Sequence, residues 1–224
     1  MNAYLTQLAY YLPELLKSLL ESGEMLMYSV FSAVLVGLPL GTFLYLMKKR
    51  TDLSSKVLVI LLNRVVDVIR SFPFLLLVIA LIPLTRTVLG TAFGTRAAAF
   101  PLGFVSAALY SRLVEQVLLE VPDEVTELAD TLGAGRRQLI FQFLYVEARA
   151  GLVLSLTSVI VSMVSYSTVM GVVGGGGIGD FAMRYGYQRY EYGLMYTAIV
   201  LMIIAVSFIQ IGGSRLAKYL DKKH

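Results

Sequence analysis

Cysteine is absent from the sequence, and the only histidine, His224, is the last of its 224 residues. Without cysteine there is no disulfide, no thiolate nucleophile and no cysteine-ligated metal, and one terminal imidazole gives no reason to expect a metal site. Charged residues are also scarce, at 15% of the chain against about 25% in soluble domains. Since 57% of the residues are hydrophobic and the mean hydropathy is +0.74, the composition predicts an integral membrane protein with one domain, residues 1–224.

The sequence also lacks a nucleotide-binding signature. A P-loop needs G-x-x-x-x-G-K-[ST] so that a lysine and a hydroxyl reach phosphate and magnesium, and no such string occurs. The run Gly174–Gly177 is instead predicted to form an outer turn with unusual backbone angles. We therefore expect no catalytic residue, no cofactor and no nucleic-acid partner, and we predict that the chain is not an enzyme. The two matching halves of many secondary transporters are missing as well.

Five apolar runs are long enough to cross a hydrocarbon core of about 30 Å, which takes roughly 20 helical residues. They cover residues 25–47, 57–82, 97–119, 152–173 and 193–213. This pattern predicts an all-α, polytopic membrane protein with five transmembrane helices. Most Lys and Arg residues fall in the connections on one side, including the cluster at residues 48–50, and such connections stay in the cytoplasm. The N-terminus is therefore predicted to lie outside and the C-terminus in the cytoplasm.

A stripe of leucines precedes the first span, at alternating spacings of three and four residues: Leu5, Leu8, Leu12, Leu15 and Leu19. This spacing places them on one face of a helix. The helix could lie on the outer membrane surface or pack across the bundle. Its polar face holds a single lysine, which gives little attraction to anionic lipid, so packing is the favoured interpretation.

The connection between the third and fourth spans, residues 120–149, is charged and carries a turn. Pro122 suits a helix start, acidic residues follow in the first turn, and Gly133 and Gly135 are predicted to break the helix. One helical face of the connection is apolar, at Val125, Leu128, Leu132, Leu139 and Phe143. The segment is either an interfacial loop or a docking element whose apolar face a partner protein covers.

Part of this connection resembles a family motif. Glu127-Leu128-Ala129, with Gly133 after three further residues, is similar to the E-A-A-x-x-x-G motif of permease subunits in binding-protein-dependent ABC importers. In that family the segment forms a coupling helix, which lies in a groove of the cytoplasmic ATPase. The resemblance implies ATPase-coupling roles for Glu127, Leu128, Ala129, Leu132, Gly133 and Arg136. The usual I-x-L-P tail is replaced by Phe143, Tyr145 and Val146.

Further motifs extend the resemblance from about residue 24 to the C-terminus. Residues 70–74 (RSFPF) resemble the R-S-x-P-F motif of amino-acid permeases. Four further segments are similar to those of methionine-import permeases: residues 82–86 (IPLTR), 90–91 (GT), 176–180 (GGIGD) and 185–187 (YGY). The resemblance implies the type I ABC importer permease fold in a prokaryotic cell membrane. It also implies two cytoplasmic ATP-binding subunits, an extracytoplasmic substrate-binding protein and methionine or a similar amino acid as substrate. Since five spans enclose a pathway poorly, we expect a homodimer in membrane lipid.

Serines form a stripe along the fourth span: Ser155, Ser158, Ser162 and Ser165. Small polar residues let membrane helices pack closely and form hydrogen bonds with one another, and the same face could instead line a pathway for an amino acid. The predicted pathway residues are Ser158, Ser162, Tyr166, Ser167, Val169 and Met170. A methionine at such a position is also ordinary packing material.

Two more polar groups have structural and functional interpretations. Arg64, Asp67 and Arg70 are spaced three apart, so the aspartate could pair with either arginine on one helix face. Four tyrosines after the fourth span, Tyr185, Tyr187, Tyr190 and Tyr192, suit a membrane interface or contacts with the external binding protein.

These features together predict the permease subunit of an ATP-driven importer, in which a coupling helix transmits the motion of the ATPase. Two alternatives remain from other functional classes. One is a secondary carrier or channel that moves small solutes without an ATPase. The other is a membrane scaffold that transports nothing. A proton-coupled carrier should place an acidic residue deep in a span, and the clean apolar runs contain none.

Overall fold

The computed structural model describes residues 2–48 and 53–221, and every regular element in these ranges is helical. The α-helices are α1 (Asn2–Ser32), α2 (Leu38–Lys48), α3 (Leu53–Ser71), α4 (Phe74–Leu89), α5 (Thr95–Leu119), α6 (Asp123–Thr131), α7 (Arg136–Gln138), α8 (Tyr145–Val172), α9 (Gly177–Phe181) and α10 (Tyr192–Leu220). Three π-helical segments join or extend them: Ala33–Gly37, Leu139–Leu144 and Ala182–Tyr187. The all-α prediction is confirmed. Lys49, Arg50, Lys222, Lys223 and His224 lie outside the described residues.

Four of the described helical stretches are long and apolar enough to cross a membrane: Thr6–Lys48, Thr95–Leu119, Arg136–Val172 and Tyr192–Leu220. A fifth candidate is a bent pair, Val57–Ser71 and Phe74–Leu89, whose axes differ by 114°. The predicted second span, residues 57–82, therefore corresponds to a bent pair of helices that extends to Leu89. Pro73 has no backbone N–H and disfavours helical geometry at Phe72, so the helix ends there and restarts. The orientation inferred from basic residues stays a prediction.

The leucine stripe and the first predicted span form one helical stretch rather than two elements. Thr6–Lys48 runs for 43 residues, so the helix continues through residue 25, where the first membrane span is predicted to begin. Leu15 is 4% exposed and packs in a cluster with Ile178, Phe181 and Leu194. The packing interpretation of the stripe is confirmed, although Leu12 lies outside the cluster and is 45% exposed.

Helix α5 lies at the centre of the molecule and contacts α1, α2, α3, α4 and α8. Most of its residues are buried, as expected for a helix that is largely surrounded by other helices. Two serine hydroxyls tie it to α1: Ser106 donates to the Ser29 carbonyl at 2.8 Å, and Ser32 donates to the Gly103 carbonyl at 2.9 Å. α5 therefore positions both ends of the bundle.

The crossing of α2 and α5 depends on small residues. Gly37 and Gly41 are spaced four apart and lie against Ala107 and Ser111 of α5. A Cβ on Gly37 would come within 2.8 Å of the Ala107 carbonyl oxygen, and one on Gly41 would collide with the Ser111 carbonyl oxygen. This G-x-x-x-G approach of two backbones is a common way for membrane helices to associate.

The two ends of the helical bundle carry different residues. The basic end is the one that carries Lys48, Arg112 and α6. The glycine end carries Gly94 and Gly174–Gly177, where the Gly94 N–H donates to the Gly174 carbonyl at 3.0 Å. Gly174, Gly176 and Gly177 all have positive φ, so the predicted glycine turn is confirmed.

The substitution Gly41→Ala should lower the thermal stability of the purified chain in detergent. The added methyl group meets backbone of α5, and overpacking of this kind destabilises proteins by about 1–3 kcal/mol. Gly23→Ala is the matched control, because a Cβ there meets nothing within 4 Å. It should leave the melting temperature unchanged or raise it. Equal melting temperatures for the two variants would contradict the proposed packing.

Candidate functional site

Helix α6 ends in a hydrogen-bonded glycine cap. The Gly133 N–H donates to the Asp130 carbonyl at 3.0 Å, and the Ala134 N–H donates to the Ala129 carbonyl at 2.9 Å. This pair of bonds is a Schellman motif, which requires a left-handed residue after the helix, and Gly133 has φ of +67°. The predicted break at Gly133 is confirmed. Gly135 contributes differently, since its extended backbone starts α7 and its N–H donates to Gln138 Oε1 at 2.9 Å.

The predicted coupling residues have two different surroundings. Ala129 is fully buried, where α6 packs against the π-helical segment Leu139–Leu144. Leu128 and Leu132 are 54% and 67% exposed, and the remaining predicted residues are also exposed: Glu127, Gly133 and Arg136. The small side chain of Ala129 thus lets α6 sit close to the following segment, while the two leucines project outward.

The apolar face predicted for the connection is divided in the structure. Val125 and Leu139 pack against the main core, whereas Leu128 and Leu132 are exposed. The prediction that all five residues form one free face is therefore wrong. Only the part of the face near the end of α6 is available to a partner, because Val125 and Leu139 pack against the core.

The predicted pathway residues lie on two faces of α8. Ser158 is exposed and Ser162 is half-buried. Each donates its hydroxyl proton to the carbonyl four residues earlier, at 3.0 Å and 2.9 Å. Both hydroxyl groups therefore donate hydrogen bonds within α8. Each hydroxyl oxygen can still accept a hydrogen bond from another group.

Two other predicted pathway residues are inside the core of the chain. Ser167 is 1% exposed and donates to the Val164 carbonyl at 2.8 Å. Met170 is 3% exposed and belongs to the main apolar cluster. In this conformation neither has a surface that a solute could contact. Val169 is half-buried.

Tyr166, the last predicted pathway residue, stacks on Phe74. The ring centroids are 4.4 Å apart and the planes differ by 17°. Phe74 is the first residue of α4, immediately after the bend at Pro73. The stack therefore joins the pathway helix to the bent pair of helices, a contact that the sequence did not predict.

A buried carboxylate lies at the basic end and was not predicted. Glu115 of α5 is 1% exposed. Its carboxylate accepts from Arg112 at 2.6 Å and lies 3.7 Å from Lys48 Nζ. Arg112 also donates to Asn63 Oδ1 at 3.3 Å. One carboxylate thus links the ends of α2, α3 and α5, and a buried anion of this kind requires such partners.

The pairing predicted for Asp67 is wrong. Among the described residues no ion pair joins Asp67 to Arg64 or Arg70, although all three belong to α3. Asp67 instead faces the cleft that Lys48, Arg112 and Glu115 line. The other charged residues of this cleft come from α2 and α5, which are distant in sequence, so spacing along α3 could not identify them.

Side chains of α1 hold the short helix α9 at the glycine end. Glu21 accepts from the Gly177 N–H at 2.8 Å, and Ser22 accepts from the Ile178 N–H at 2.9 Å. These bonds satisfy backbone donors that a helix start leaves free. Nearby, Tyr187, Tyr190 and Tyr192 are exposed, whereas Tyr185 packs between Tyr11 and Phe181.

Comparison with known proteins gives a consistent set of relatives. The family described as "Binding-protein-dependent transport system inner membrane component" matches residues 37–224. The chain is 41% identical over 188 residues to the "Probable D-methionine transport system permease protein MetI" of Vibrio cholerae, covering 84% of each. It is 34% identical over 180 residues to the "Methionine import system permease protein MetP" of Bacillus subtilis, covering 80% of this chain and 81% of that one.

A solved structure shares the whole fold. A chain of "Inward facing conformations of the MetNI methionine ABC transporter" superposes with a TM-score of 0.90 at 34% identity. The match covers 94% of this chain and 98% of that one. The bend at Pro73 and the connection through α6 lie within the family match.

The substitution Gly133→Ala should loosen the end of α6. An alanine in the left-handed backbone conformation costs about 1–2 kcal/mol. The amide hydrogens that form the cap, at position 133 and at Ala134, should therefore exchange with solvent roughly fivefold faster or more. Hydrogen exchange followed by mass spectrometry measures this over residues 123–134. Gly135→Ala is the matched control, since Gly135 already has φ of −69° and its added Cβ meets only Gln138 Oε1, at 3.7 Å. Equal exchange in both variants would disprove the role of the cap.

Proposed function

Since this chain belongs to the family of binding-protein-dependent transport system inner membrane components and is a methionine-type ABC importer permease of the bacterial plasma membrane, we propose that it imports methionine or a related amino acid at the expense of ATP. Two copies of the chain form the pathway along their two-fold axis. The nucleotide is hydrolysed by separate ATP-binding subunits, because this chain has no P-loop.

The observation that carries this proposal is the exposed pair Leu128 and Leu132 on a rigidly capped α6. Two large apolar side chains on a short charged helix outside the apolar spans are typical of a helix-in-groove contact. Each ATPase subunit binds this pair, and the flanking Glu127 and Arg136 add polar contacts at the rim. Ala129 supports the contact from beneath and does not touch the ATPase.

Motion reaches the pathway through continuous helical packing. α6 packs on Leu139–Leu144, which continues without a break into α8. A displacement of α6 by the ATPase therefore moves the base of α8. The stack of Tyr166 on Phe74 carries that displacement to α4, beyond the bend. Closure of the two ATPase subunits thus switches the permease pair from an inward-open to an outward-open state.

The exposed face of α8 supplies the pathway in this proposal. Ser158 and Ser162 present weak acceptors to an amino-acid ammonium group, and Val169 presents an apolar surface to its side chain. Because each hydroxyl proton is already donated within the helix, the face binds no solute tightly. Weak binding suits a pathway in which an external protein binds the amino acid tightly and ATP hydrolysis supplies the free energy for transport.

The glycine end receives the substrate-binding protein. Tyr187, Tyr190 and Tyr192 are 56%, 77% and 47% exposed, and tyrosine is among the residues enriched at the centres of protein interfaces. α1 braces this surface through its bonds to α9. Docking there would release the amino acid onto the pathway beside α8.

The substitution Leu132→Asp should abolish co-purification of the ATPase subunits and ATP-dependent uptake, by at least about tenfold, because a carboxylate would be desolvated in an apolar groove. Leu216→Asp is the matched control, since Leu216 of α10 is 51% exposed. It should retain the ATPase. Uptake by the purified chain in vesicles without nucleotide or a second subunit would instead establish the rival, a carrier that works without an ATPase.

The substitution Ser162→Leu should reduce methionine uptake severalfold at unchanged expression and ATPase recovery, because a branched apolar side chain would narrow the serine face. Uptake of labelled methionine into vesicles that contain the whole complex measures this. Ser207→Leu is the control, since Ser207 makes the same bond to the carbonyl four residues earlier, on α10. Wild-type transport by the Ser162 variant would remove this residue from the pathway.

A further inference from the structure

We propose that the chain holds one anionic phospholipid between α2, α3 and α5, with an acyl chain in an apolar groove and the phosphate in an adjoining basic cleft. This site is separate from the α6 surface and from the serine face of α8. The proposal is based on two neighbouring cavities, one lined by apolar residues and the other mainly by charged residues. The proposal does not depend on which solute the protein carries.

The apolar groove has a volume of about 490 Å³, within the range of roughly 300–1,000 Å³ that ligand pockets occupy. α3 lines one wall with Leu62 and Val65, and α5 lines the opposite wall with Phe100 and Phe104. The groove runs along helices that cross the membrane, so a lipid chain can enter it from the side. A charged solute from water would have to cross apolar surface to reach it.

The basic cleft has a volume of about 350 Å³ and lies at the basic end. Three cationic side chains and two carboxylates line it: Lys48, Arg64, Arg112, Asp67 and Glu115. The Glu115 carboxylate already forms ion pairs with Arg112 and Lys48. Arg64 is exposed, and no ion pair between described residues includes it. The cleft therefore has one net positive charge and one guanidinium ready to bind a phosphate, which it can do through two N–H groups.

The two cavities adjoin: they follow one another along α5, and on α3 their lining residues alternate, at 62–69 for the groove and 60–67 for the cleft. On α5 the groove ends at Ala108 and the cleft begins at Arg112, about 6 Å farther along the helix axis. The groove itself extends along α5 from Ala99 to Ala108, about 14 Å. One leaflet is about 15 Å deep, half of a hydrocarbon core of about 30 Å. The groove thus has the length of a lipid chain whose headgroup lies at the cleft.

A phospholipid fits this pair of cavities better than a protein helix does. A helix of a second copy could fill the groove, but it would also have to place an acidic residue beside the exposed guanidinium of Arg64. A phospholipid supplies the apolar chain and the anion in one molecule. The basic end is also the side predicted to face the cytoplasmic leaflet, whose anionic lipids attract Lys and Arg.

The absence of tryptophan from the chain allows a direct test on the full-length protein. A Phe104→Trp variant places the only tryptophan of the chain in the groove, where Phe104 is 42% exposed. A Phe208→Trp variant provides the comparison site on α10, where Phe208 is 72% exposed. Both are placed in phosphatidylcholine vesicles with increasing fractions of phosphatidylglycerol whose acyl chains are brominated, and quenching of tryptophan fluorescence reports the lipid in contact.

We expect brominated phosphatidylglycerol to quench Trp at position 104 at about fivefold lower mole fraction than brominated phosphatidylcholine, as one cation near the headgroup would give. Position 208 should show no such preference. Adding Arg64→Gln to the groove variant should remove the preference, whereas Arg215→Gln, which neutralises an exposed arginine of α10, should keep it. Helical circular dichroism and quenching at position 208 show that each variant is folded and inserted.

Four results would overturn the proposal. Equal quenching by the two brominated lipids at position 104 would remove the headgroup selectivity, and a preference that survives Arg64→Gln would remove the assigned phosphate ligand. Protection of position 104 from both lipids, while position 208 is quenched, would show that a second copy or the chain itself fills the groove. Displacement of the quencher by soluble glycerol phosphate would show that the acyl chain adds nothing to binding.

Discussion

The close approach of α2 to α5 is the constraint on which the rest of the molecule depends. Gly37 and Gly41 bring the two backbones together, and α5 then carries α1, α3, α4 and α8 around it. In lipid there is no hydrophobic effect to drive helices together, so small residues and interhelical hydrogen bonds must do so. The hydroxyls of Ser32 and Ser106 extend the same contact toward the glycine end. The two surfaces proposed to be functional, on α6 and on α8, are therefore both positioned by the central helix α5.

Much of the fold could be predicted from hydropathy because a membrane span must be apolar along its length. The span at residues 97–119 agrees with α5, and the one at 193–213 lies inside α10. Hydropathy distinguishes the charged arm before Pro73 from the apolar arm after it, but it carries no information on the angle between them. It also could not show that the leucine stripe continues into the first span. Prolines 13, 83 and 101 lie inside helices, so a proline in the sequence does not by itself mark a break.

The candidate site was predictable where it depends on local chemistry and unpredictable where it depends on distant partners. The left-handed turn at Gly133 follows from neighbours in sequence, and the family motif identified the exposed leucines of α6. The burial of Ser167 and Met170, the stack of Tyr166 on Phe74 and the surroundings of Glu115 depend on helices far apart in the chain. Periodicity assigns a residue to a face of its own helix, but the packing of the other helices decides what that face meets.

The length of the first helical stretch has a consequence for how the protein moves. Forty-three residues from Thr6 to Lys48 extend about 65 Å, twice the thickness of the hydrocarbon core. This one helical stretch therefore packs on Phe181 at the glycine end and places Lys48 Nζ 3.7 Å from the Glu115 carboxylate at the basic end. An opening at either boundary must either tilt this rod as a whole or bend it at its π-helical segment, Ala33–Gly37. In the function proposed above, the two ends of the pathway are thus joined mechanically within each copy of the chain.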